Sequence, residues 1–348
     1  VNDIEISQID TSGSIMEAGI FEVKITVQSR GYTGREADLL IEVGEDVVST
    51  RKITLGPDNT LQRYTFYLTP LKKGTQVYTA RIPLQKDEII RENNQLPFLV
   101  DNPEKKVEIL YIEGHPRNEY KFIRRAAETD TAVRLKTYLM TGPQKFLRQG
   151  IDSPMELARG YPAREEELFK YDAVIFGDLA RNLFTDEQLA LTRDFVFRRG
   201  GGFLMLGGST AFDPGFIGTP IEDLLPVSLV NDNFLPPELR GGVVKGNHPT
   251  GQTFALRLTT EGQRSMMLRL DIDDESNRKL WRDMPPLQGI NVTGRAKPGT
   301  TVLAVHPTLT FQGEPLPVLA YERYGGGRSM SLMTATTWRW QMLKPHGD

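Results

Sequence analysis

The chain has 348 residues, of which 39% are hydrophobic and 25% charged, and its formal net charge is −3. At roughly 100–200 residues per domain this length predicts two or three domains, and the near balance of charge excludes the basic footprint of a nucleic-acid-binding protein. The absence of cysteine excludes disulfides, thiolate metal sites and thiol nucleophiles. The sequence contains no run of about eighteen apolar residues, the length that would predict a membrane-spanning helix.

Residues 1–102 have the pattern of an all-β module. Apolar and polar residues alternate over several short stretches, and turn-forming residues such as Gly56 and Pro57 separate them. Short alternating stretches at near-regular spacing, without a helical period, are typical of an antiparallel sandwich. We therefore expect an Ig-like sandwich that acts as a spacer or a docking surface. The clearest stretches are Phe21–Val27, Leu39–Val43, Arg63–Leu68 and Val77–Ile82.

Residues 103–348 have the pattern of an α/β domain. Compact apolar strands alternate with helical segments, which predicts a largely parallel sheet covered by helices. Thr185 and Gln188 have the spacing of a capping box, and the helix that follows is predicted to bury Leu189, Thr192 and Phe195. The predicted strands are Val107–Ile112, Val133–Leu139, Ala173–Phe176 and Phe203–Leu206, the other predicted helices are Arg117–Thr129 and Arg164–Phe169, and a long loop is expected between 140 and 163.

The region from about 226 to 300 is rich in proline and glycine and has no regular period. It is therefore predicted to be an insertion with some β-structure. After it the chain returns to strands, the last two of which are joined by a tight hairpin at Tyr324–Arg328. These strands are Thr301–Val305, Pro317–Tyr321 and Ser329–Met333.

Polar and glycine residues follow three of the predicted parallel strands. Open α/β folds bind ligands at the carboxyl ends of their strands, so these residues are expected to orient a polar ligand. The competing interpretations are structural: Arg117 and Glu119 would cap and solvate a helix start, and Asp178 would hold the loop before Thr185. The candidate ligand-binding residues are Glu113, Arg117, Asp178, Gly207, Gly208 and Ser209.

No metal site or cofactor is predicted. The four histidines, His115, His248, His306 and His346, are widely separated and have no partner at ligand spacing. The acidic run Asp271–Glu275 lacks the glycine and terminal glutamate of a calcium loop and is interpreted as a solvated loop. The glycines at 200–202 fail the spacing of phosphate-binding motifs and are predicted to end a helix.

Four stretches together resemble a known family. Leu110–Tyr120, Tyr171–Asp178, Phe195–Gly208 and Tyr324–Trp340 are similar to the glutamine amidotransferase-like domain of large membrane-anchored bacterial proteins. In such proteins a von Willebrand factor A domain often precedes an Ig-like module, which the first hundred residues resemble. The resemblance implies a flavodoxin-like sheet of the class I amidotransferase type, on which the superfamily carries a Cys-His-Glu triad.

The triad itself is missing from this sequence. The catalytic cysteine of the superfamily would fall near Gly207 and Gly208. Its histidine and glutamate would follow the last strand, at residues 334–338, where this sequence has no histidine. Ammonia release from glutamine requires an activated nucleophile that forms a covalent thioester. The resemblance therefore implies the fold and not the activity.

Two hypotheses follow. The preferred one is a non-catalytic, extracytoplasmic part of a membrane-anchored bacterial envelope protein that binds a protein partner or a small polar ligand, reaching the membrane through segments outside this sequence. The chain is accordingly expected to belong to a longer protein. The alternative is a hydrolase or transferase with rebuilt, non-cysteine chemistry, in which Glu113, Asp178 or Ser209 would act on a substrate within hydrogen-bond reach of two of them.

Overall fold

The computed structural model describes residues 2–11, 20–102, 106–130, 132–142, 145–240, 251–271 and 273–342. The chain divides into two compact units, Val1–Lys105 and Lys106–Asp348. The sequence places the boundary after residue 102, at the end of a strand.

In its described residues, the first unit is a sandwich of seven antiparallel strands. One sheet has the order β1-β2-β5 and the other the order β4-β3-β6-β7, so the chain crosses from one sheet to the other after β2, after β4 and after β5. This arrangement confirms the prediction of an Ig-like module. The strands are β1 (Asp3–Thr11), β2 (Phe21–Arg30), β3 (Glu36–Val43), β4 (Asp46–Thr54), β5 (Leu61–Leu68), β6 (Gly74–Arg81) and β7 (Gln95–Asn102).

Alternation along the strands builds the core of the sandwich. On β3, Leu39 and Ile41 are completely buried, whereas the alternating residues Asp38 and Leu40 are more exposed. Tyr78 of β6 lies at the centre, with ring centroids 5.3 Å from Phe21 in an edge contact and 5.7 Å from Phe98 in a stacked one. Aromatic pairs at such separations add to the free energy gained from burial alone.

The second unit contains eleven strands and seven α-helices among its described residues. The strands are β8 (Val107–Glu113), β9 (Val133–Gly142), β10 (Lys145–Gln149), β11 (Ala173–Phe176), β12 (Gly202–Leu206), β13 (Thr253–Phe254), β14 (Arg257–Leu258), β15 (Leu287–Gln288), β16 (Thr301–Phe311), β17 (Glu314–Tyr324) and β18 (Gly327–Leu332). The helices are α1 (Asn118–Thr129), α2 (Glu165–Leu168), α3 (Asp186–Phe197), α4 (Pro220–Leu224), α5 (Thr260–Arg264), α6 (Asp274–Arg282) and α7 (Trp338–Met342).

Nine of these strands form one large mixed sheet in the order β10-β9-β8-β11-β12-β18-β17-β16-β14. The five from β9 to β18 are parallel, and their order, counted along the chain, is 2-1-3-4-5. The remaining four strands are antiparallel to their neighbours. Two differences from the sequence prediction stand out: β10 lies in the expected long loop, and β16 and β17 are longer than expected.

The insertion near 226–300 contains more helix than the sequence indicates. Its described residues include α5 and α6 besides the short strands β13, β14 and β15, while residues 241–250 and 272 lie outside the described part. Of the acidic run, Asp274 and Glu275 lie in the first turn of α6, and Asp273 caps that helix, its carboxylate accepting a hydrogen bond of 2.8 Å from the backbone N–H of Ser276. Among the described helices, none is long and apolar enough to cross a membrane.

Helix α3 covers the parallel strands as its pattern predicts. Leu189, Thr192, Phe195 and Val196 are all buried. Gly200 takes a φ of +84° just beyond the helix, the left-handed conformation that favours glycine there. Local sequence signals are therefore sufficient to place both ends of this helix.

The capping box of α3 gives a first prediction. The Thr185 hydroxyl accepts the N–H of Gln188 at 3.2 Å, and the Gln188 side chain accepts the N–H of Thr185 at 3.0 Å. Thr185→Ala should lower the free energy of unfolding of the second unit by about 1 kcal/mol, because one helix-end donor loses its acceptor. All three tryptophans lie in this unit, so urea unfolding followed by tryptophan fluorescence measures the change. Thr185→Ser keeps the acceptor, and equal stabilities of the two variants would contradict the capping role.

Candidate functional site

The six candidate residues come together at the carboxyl edge of the parallel strands. Strands β8, β11 and β12 are neighbours, and Phe176 at the end of β11 pairs with Ile112 on one side and Met205 on the other. The segments that follow these strands therefore leave the sheet side by side. They form one hydrogen-bonded cluster, which we call the edge cluster: Glu113, Arg117, Asp178, Gly207, Gly208, Ser209 and Asn291.

Glu113 is the buried centre of the edge cluster and has no solvent-exposed surface. One carboxylate oxygen accepts the Tyr111 hydroxyl at 2.6 Å and the Arg117 Nε at 2.9 Å. The other accepts the backbone N–H of Asp178 at 3.0 Å and that of Gly114 at 3.1 Å. Four donors therefore satisfy this carboxylate, as burial of a charge requires.

Arg117 joins the ends of two strands that are not neighbours. Its Nε binds Glu113 after β8, and its Nη1 donates to the backbone carbonyl of Gly207 after β12 at 2.6 Å. Burial lowers the pKa of this guanidinium, but the Glu113 carboxylate outweighs burial and raises it. Among the described residues, Nη2 is a buried donor without a hydrogen-bond partner.

Asp178 organises the turn that follows β12. Its carboxylate accepts the backbone N–H groups of Ser209 (2.7 Å), Thr210 (2.5 Å) and Ala211 (2.9 Å). It also accepts the hydroxyls of Ser209 and Thr210, at 2.7 and 2.9 Å. Burial raises the pKa of Asp178, but these hydrogen bonds outweigh it and lower the pKa. Asp178 thus holds the turn at 209–211 and not, as one interpretation of the sequence had it, the loop before residue 185.

The space around the two elbow glycines is filled. A Cβ atom on Gly207 would lie 2.6 Å from the Thr334 nitrogen and 2.7 Å from the Asn291 Oδ1, and one on Gly208 would overlap the Asp178 carboxylate. Asn291 is itself buried, accepting the N–H of Gly208 at 3.0 Å and donating to its carbonyl at 2.8 Å. No side chain fits at either glycine unless these neighbours move.

Sequence reasoning missed Asn291 because no local signal marks it. The residue lies in the insertion, 83 positions beyond Gly208, in a stretch without regular periodicity. Only the topology shows that this stretch returns to the carboxyl edge, where the Asn291 N–H donates to the carbonyl of Met333 just after β18 at 2.8 Å.

Glu119 corrects a second interpretation of the sequence. It was expected to solvate the start of α1, yet it is 1% exposed. Its carboxylate accepts the Thr337 hydroxyl and, at 3.3 Å, the backbone N–H of Trp338. Burial raises the pKa of Glu119, and the bond from Thr337 offsets part of that rise. The segment that follows β18 is thus tied to α1.

The edge cluster contains no catalytic relay. The Ser209 hydroxyl lies 2.7 Å from Asp178, so two residues of the enzymatic hypothesis do meet. In a serine relay, however, the hydroxyl contacts the histidine, and the histidine in turn contacts the carboxylate. Here the Ser209 hydroxyl contacts the Asp178 carboxylate directly, and His115, half of whose side chain is exposed, lies 3.6 Å from that same carboxylate. A carboxylate with a lowered pKa and five donors is a poor general base near neutral pH.

An open groove of about 720 Å³ lies beside the edge cluster. It runs between the start of α1, the end of β9 and the segment after β18. Aromatic, aliphatic and basic side chains line it, a combination suited to a ligand that is partly apolar and partly anionic. The lining residues are Pro116, Arg117, Asn118, Tyr120, Lys121, Leu139, Ala335 and Trp338.

Within the described ranges no group of three or more His, Asp or Glu residues is arranged to hold a metal ion. His306 packs against the ring of Phe254 with a centroid separation of 4.4 Å, far from the edge cluster in the strand order. His248 and His346, which enter the sequence argument about metals, lie outside the described residues.

No family model matches the chain, and no curated protein matches it. Among solved structures, the CARDB domain of a Pyrococcus furiosus protein is 19% identical over 29% of this chain and 92% of its own, with a TM-score of 0.25. A domain of a Methanosarcina acetivorans protein, provisionally named a cell surface protein, is 19% identical over 30% of this chain and 94% of its own, with a TM-score of 0.26. The GH42 β-galactosidase Gan42B is 13% identical over 70% of this chain and 30% of its own, with a TM-score of 0.31. These TM-scores are all below 0.5, so the description of the fold rests on the strand pairing.

Proposed function

We propose that this chain is a non-catalytic binding part of a bacterial cell-envelope protein, and that its second unit is a flavodoxin-like, glutamine amidotransferase-like domain. The order 2-1-3-4-5 of the parallel strands supports the flavodoxin-like assignment, because it is the order of that doubly wound class. The four motif stretches that resemble the amidotransferase-like family support the finer one.

The proposal rests on the lack of free space around Gly207 and Gly208, the glycines at the elbow of the resembled fold. Thr334 and Asn291 stand where a side chain on Gly207 would project, and Asp178 does the same for Gly208. Catalysis by this superfamily needs a nucleophile at the elbow with open space in front of it for the substrate. The chain therefore differs from an amidotransferase by more than a single substitution, since the position of the nucleophile is also the position of a structural contact.

The groove beside the edge cluster is the proposed binding surface. It offers the exposed Lys121 and the aromatic ring of Trp338, next to the unpartnered Nη2 of Arg117. A protein partner or a small polar ligand with an anionic group fits this chemistry. The envelope location rests on the family resemblance, in which the Ig-like module serves as a spacer and the membrane segments lie elsewhere in the protein.

An activity assay tests the proposal. We expect no ammonia from L-glutamine above the rate of a heat-denatured sample, with release measured by coupled oxidation of NADH and an active amidotransferase as the positive control. The same protein should leave a panel of ester, amide and glycoside substrates unchanged. Ser209→Ala is the matched variant: turnover that the parent shows and this variant lacks would overturn the non-catalytic assignment and favour rebuilt chemistry.

A further inference from the structure

A second cavity lies at the antiparallel end of the large sheet. Its volume is about 460 Å³, within the range of about 300–1,000 Å³ that small-molecule sites occupy. Its lining is mostly apolar, with Val305, Pro315 and Pro317 among the lining residues. Phe311 and Val302 extend this apolar surface. The cavity belongs to β14, β16 and β17, so it shares no residue with the edge cluster or with the groove.

An arginine borders the apolar lining on the side of β14. In the strand register Arg257 of β14 pairs with Val305 of β16, and Val305 pairs with Pro317 of β17. Residues paired across neighbouring strands lie on the same face of a sheet, so the guanidinium of Arg257 borders the same floor. Arg257 is exposed, and within the described part of the chain its guanidinium forms no hydrogen bond or ion pair.

A second arginine borders the cavity near the turn between β16 and β17. The Nη2 of Arg295 donates to the carbonyl of Gln312 at 3.1 Å, which fixes this guanidinium beside Phe311. Glu314 is the one carboxylate among the lining residues. Two guanidinium groups against one carboxylate give the rim a net positive charge over an apolar floor.

We propose that this cavity binds a compact apolar carboxylate, with its hydrocarbon body on the floor and its carboxylate on the Arg257 rim. Arginine presents a planar fork that matches a carboxylate, and a charge-assisted hydrogen bond is about twice as strong as a neutral one. The hydrocarbon body would remove the partly exposed side chains of Val302 and Phe311 from water. The site is independent of the proposed function, because neither the edge cluster nor the groove contributes to it.

The anionic dye 1-anilinonaphthalene-8-sulfonate is a suitable probe, because its emission rises when its apolar rings leave water. Titrated into the full chain at neutral pH, it should give a saturable increase in fluorescence. Octanoate should displace it, whereas 1-octanol, which has the same chain length without the charge, should be at least tenfold less effective. Equal displacement by the two compounds would overturn the recognition of a carboxylate.

Two variants locate the site. Arg257→Gln removes the exposed guanidinium and should weaken dye and octanoate binding roughly tenfold, the size expected for one charge-assisted contact. Arg278→Gln on α6 removes an equally exposed arginine that does not line the cavity and should leave both affinities unchanged. Val302→Phe should fill the cavity and abolish saturable binding. The proposal would be overturned if Arg257→Gln bound the dye as well as the parent does, or if the parent showed no saturable binding. Urea unfolding of each variant ensures that only folded proteins are compared.

Discussion

Asp178→Ala should lower the free energy of unfolding of the second unit by about 3–5 kcal/mol, the largest effect expected of any single substitution in the edge cluster. The carboxylate accepts five hydrogen bonds from residues 209–211. The two hydroxyls can turn elsewhere, but the three backbone N–H groups, of which that of Ala211 is buried, cannot, and a hydrogen bond to a charged group contributes about 1.5–3 kcal/mol. Total stabilities are typically about 5–15 kcal/mol, so the loss would be a large fraction.

Urea unfolding at pH 7, followed by tryptophan fluorescence, measures this loss in the second unit alone, since Trp281, Trp338 and Trp340 all lie there. The matched control is Asp283→Ala, which removes an exposed carboxylate at the end of α6 and should change the stability by less than about 0.5 kcal/mol. A change below about 1 kcal/mol for Asp178→Ala would mean that the turn at 209–211 is held by other contacts.

The same contacts of Asp178 explain why residue 208 is a glycine. Asp178 holds residues 209–211 so close that its carboxylate fills the position of a Cβ atom on Gly208. A glycine is required there for as long as Asp178 holds the turn. In the proposed amidotransferase-like assignment, the contacts that hold this turn are therefore also the reason that no nucleophilic side chain fits at position 208.

The parts of the fold that sequence predicts well are those with local signals. The capping box at Thr185 and the glycine at 200 bracket α3, and both follow from hydrogen bonding and backbone conformation within one segment. Strand β10 has no such signal. Its five residues, Lys145–Gln149, are exposed or half-exposed, and their backbone pairs with β9, so their extended conformation depends on a neighbouring strand and not on their own pattern.

The candidate site was predictable in part for a topological reason. Parallel neighbours end at the same edge, so residues after β8, β11 and β12 had to meet, and Glu113 and Asp178 do. What sequence could not supply was the set of partners from distant segments. Asn291 arrives from the insertion, and Thr337 from beyond the last strand reaches Glu119, 218 positions earlier. A glutamate in the first turn of a helix is normally solvated, and only this crossing segment buries it.

Acidification should destabilise the second unit in two main steps, to the second of which Asp178, whose pKa is also lowered, contributes. The first involves His306 between about pH 6.5 and 4, and the second involves Glu156 between about pH 4.5 and 2. Each step should cost about 3 kcal/mol, because one pKa unit of difference between the folded and unfolded chain corresponds to about 1.4 kcal/mol. Glu119 and Glu322 act in the opposite direction, since burial raises the pKa of both and their protonation favours the folded state.

The first step follows from the burial of a neutral imidazole. His306 is 5% exposed, and its Nδ1 accepts the backbone N–H of Leu309 at 2.9 Å and that of Thr308 at 3.3 Å. Burial lowers the pKa of His306 from 6.5 to about 4. As the pH falls from 6.5 to 4, His306 binds a proton in the unfolded chain but stays neutral in the folded chain, so the free energy of unfolding declines. His306→Asn keeps an acceptor for the two N–H groups and should remove the pH dependence of this step.

The second step follows from a paired carboxylate. Glu156 accepts Lys170 at 2.5 Å, Tyr171 at 2.8 Å and Lys136 at 3.1 Å, together with the backbone N–H of Asp152 at 2.7 Å. Burial raises the pKa of Glu156, but these donors outweigh it and lower the pKa from 4.5 to about 2. The ionised carboxylate therefore stabilises the folded chain above about pH 4.5, and this contribution disappears as the pH falls towards 2.

Urea titrations from pH 7 to pH 2 with tryptophan fluorescence separate the two steps. Glu156→Gln should be less stable than the parent by about 3 kcal/mol at pH 7, and the two proteins should converge as the pH approaches 2, because the parent carboxyl is then neutral as well. His306→Asn should instead match the slope of the parent below pH 4 and differ from it only above. A constant difference between Glu156→Gln and the parent at every pH would show that the lost free energy comes from packing and not from the charge, and parent-like slopes of His306→Asn between pH 6.5 and 4 would assign the first step to another group.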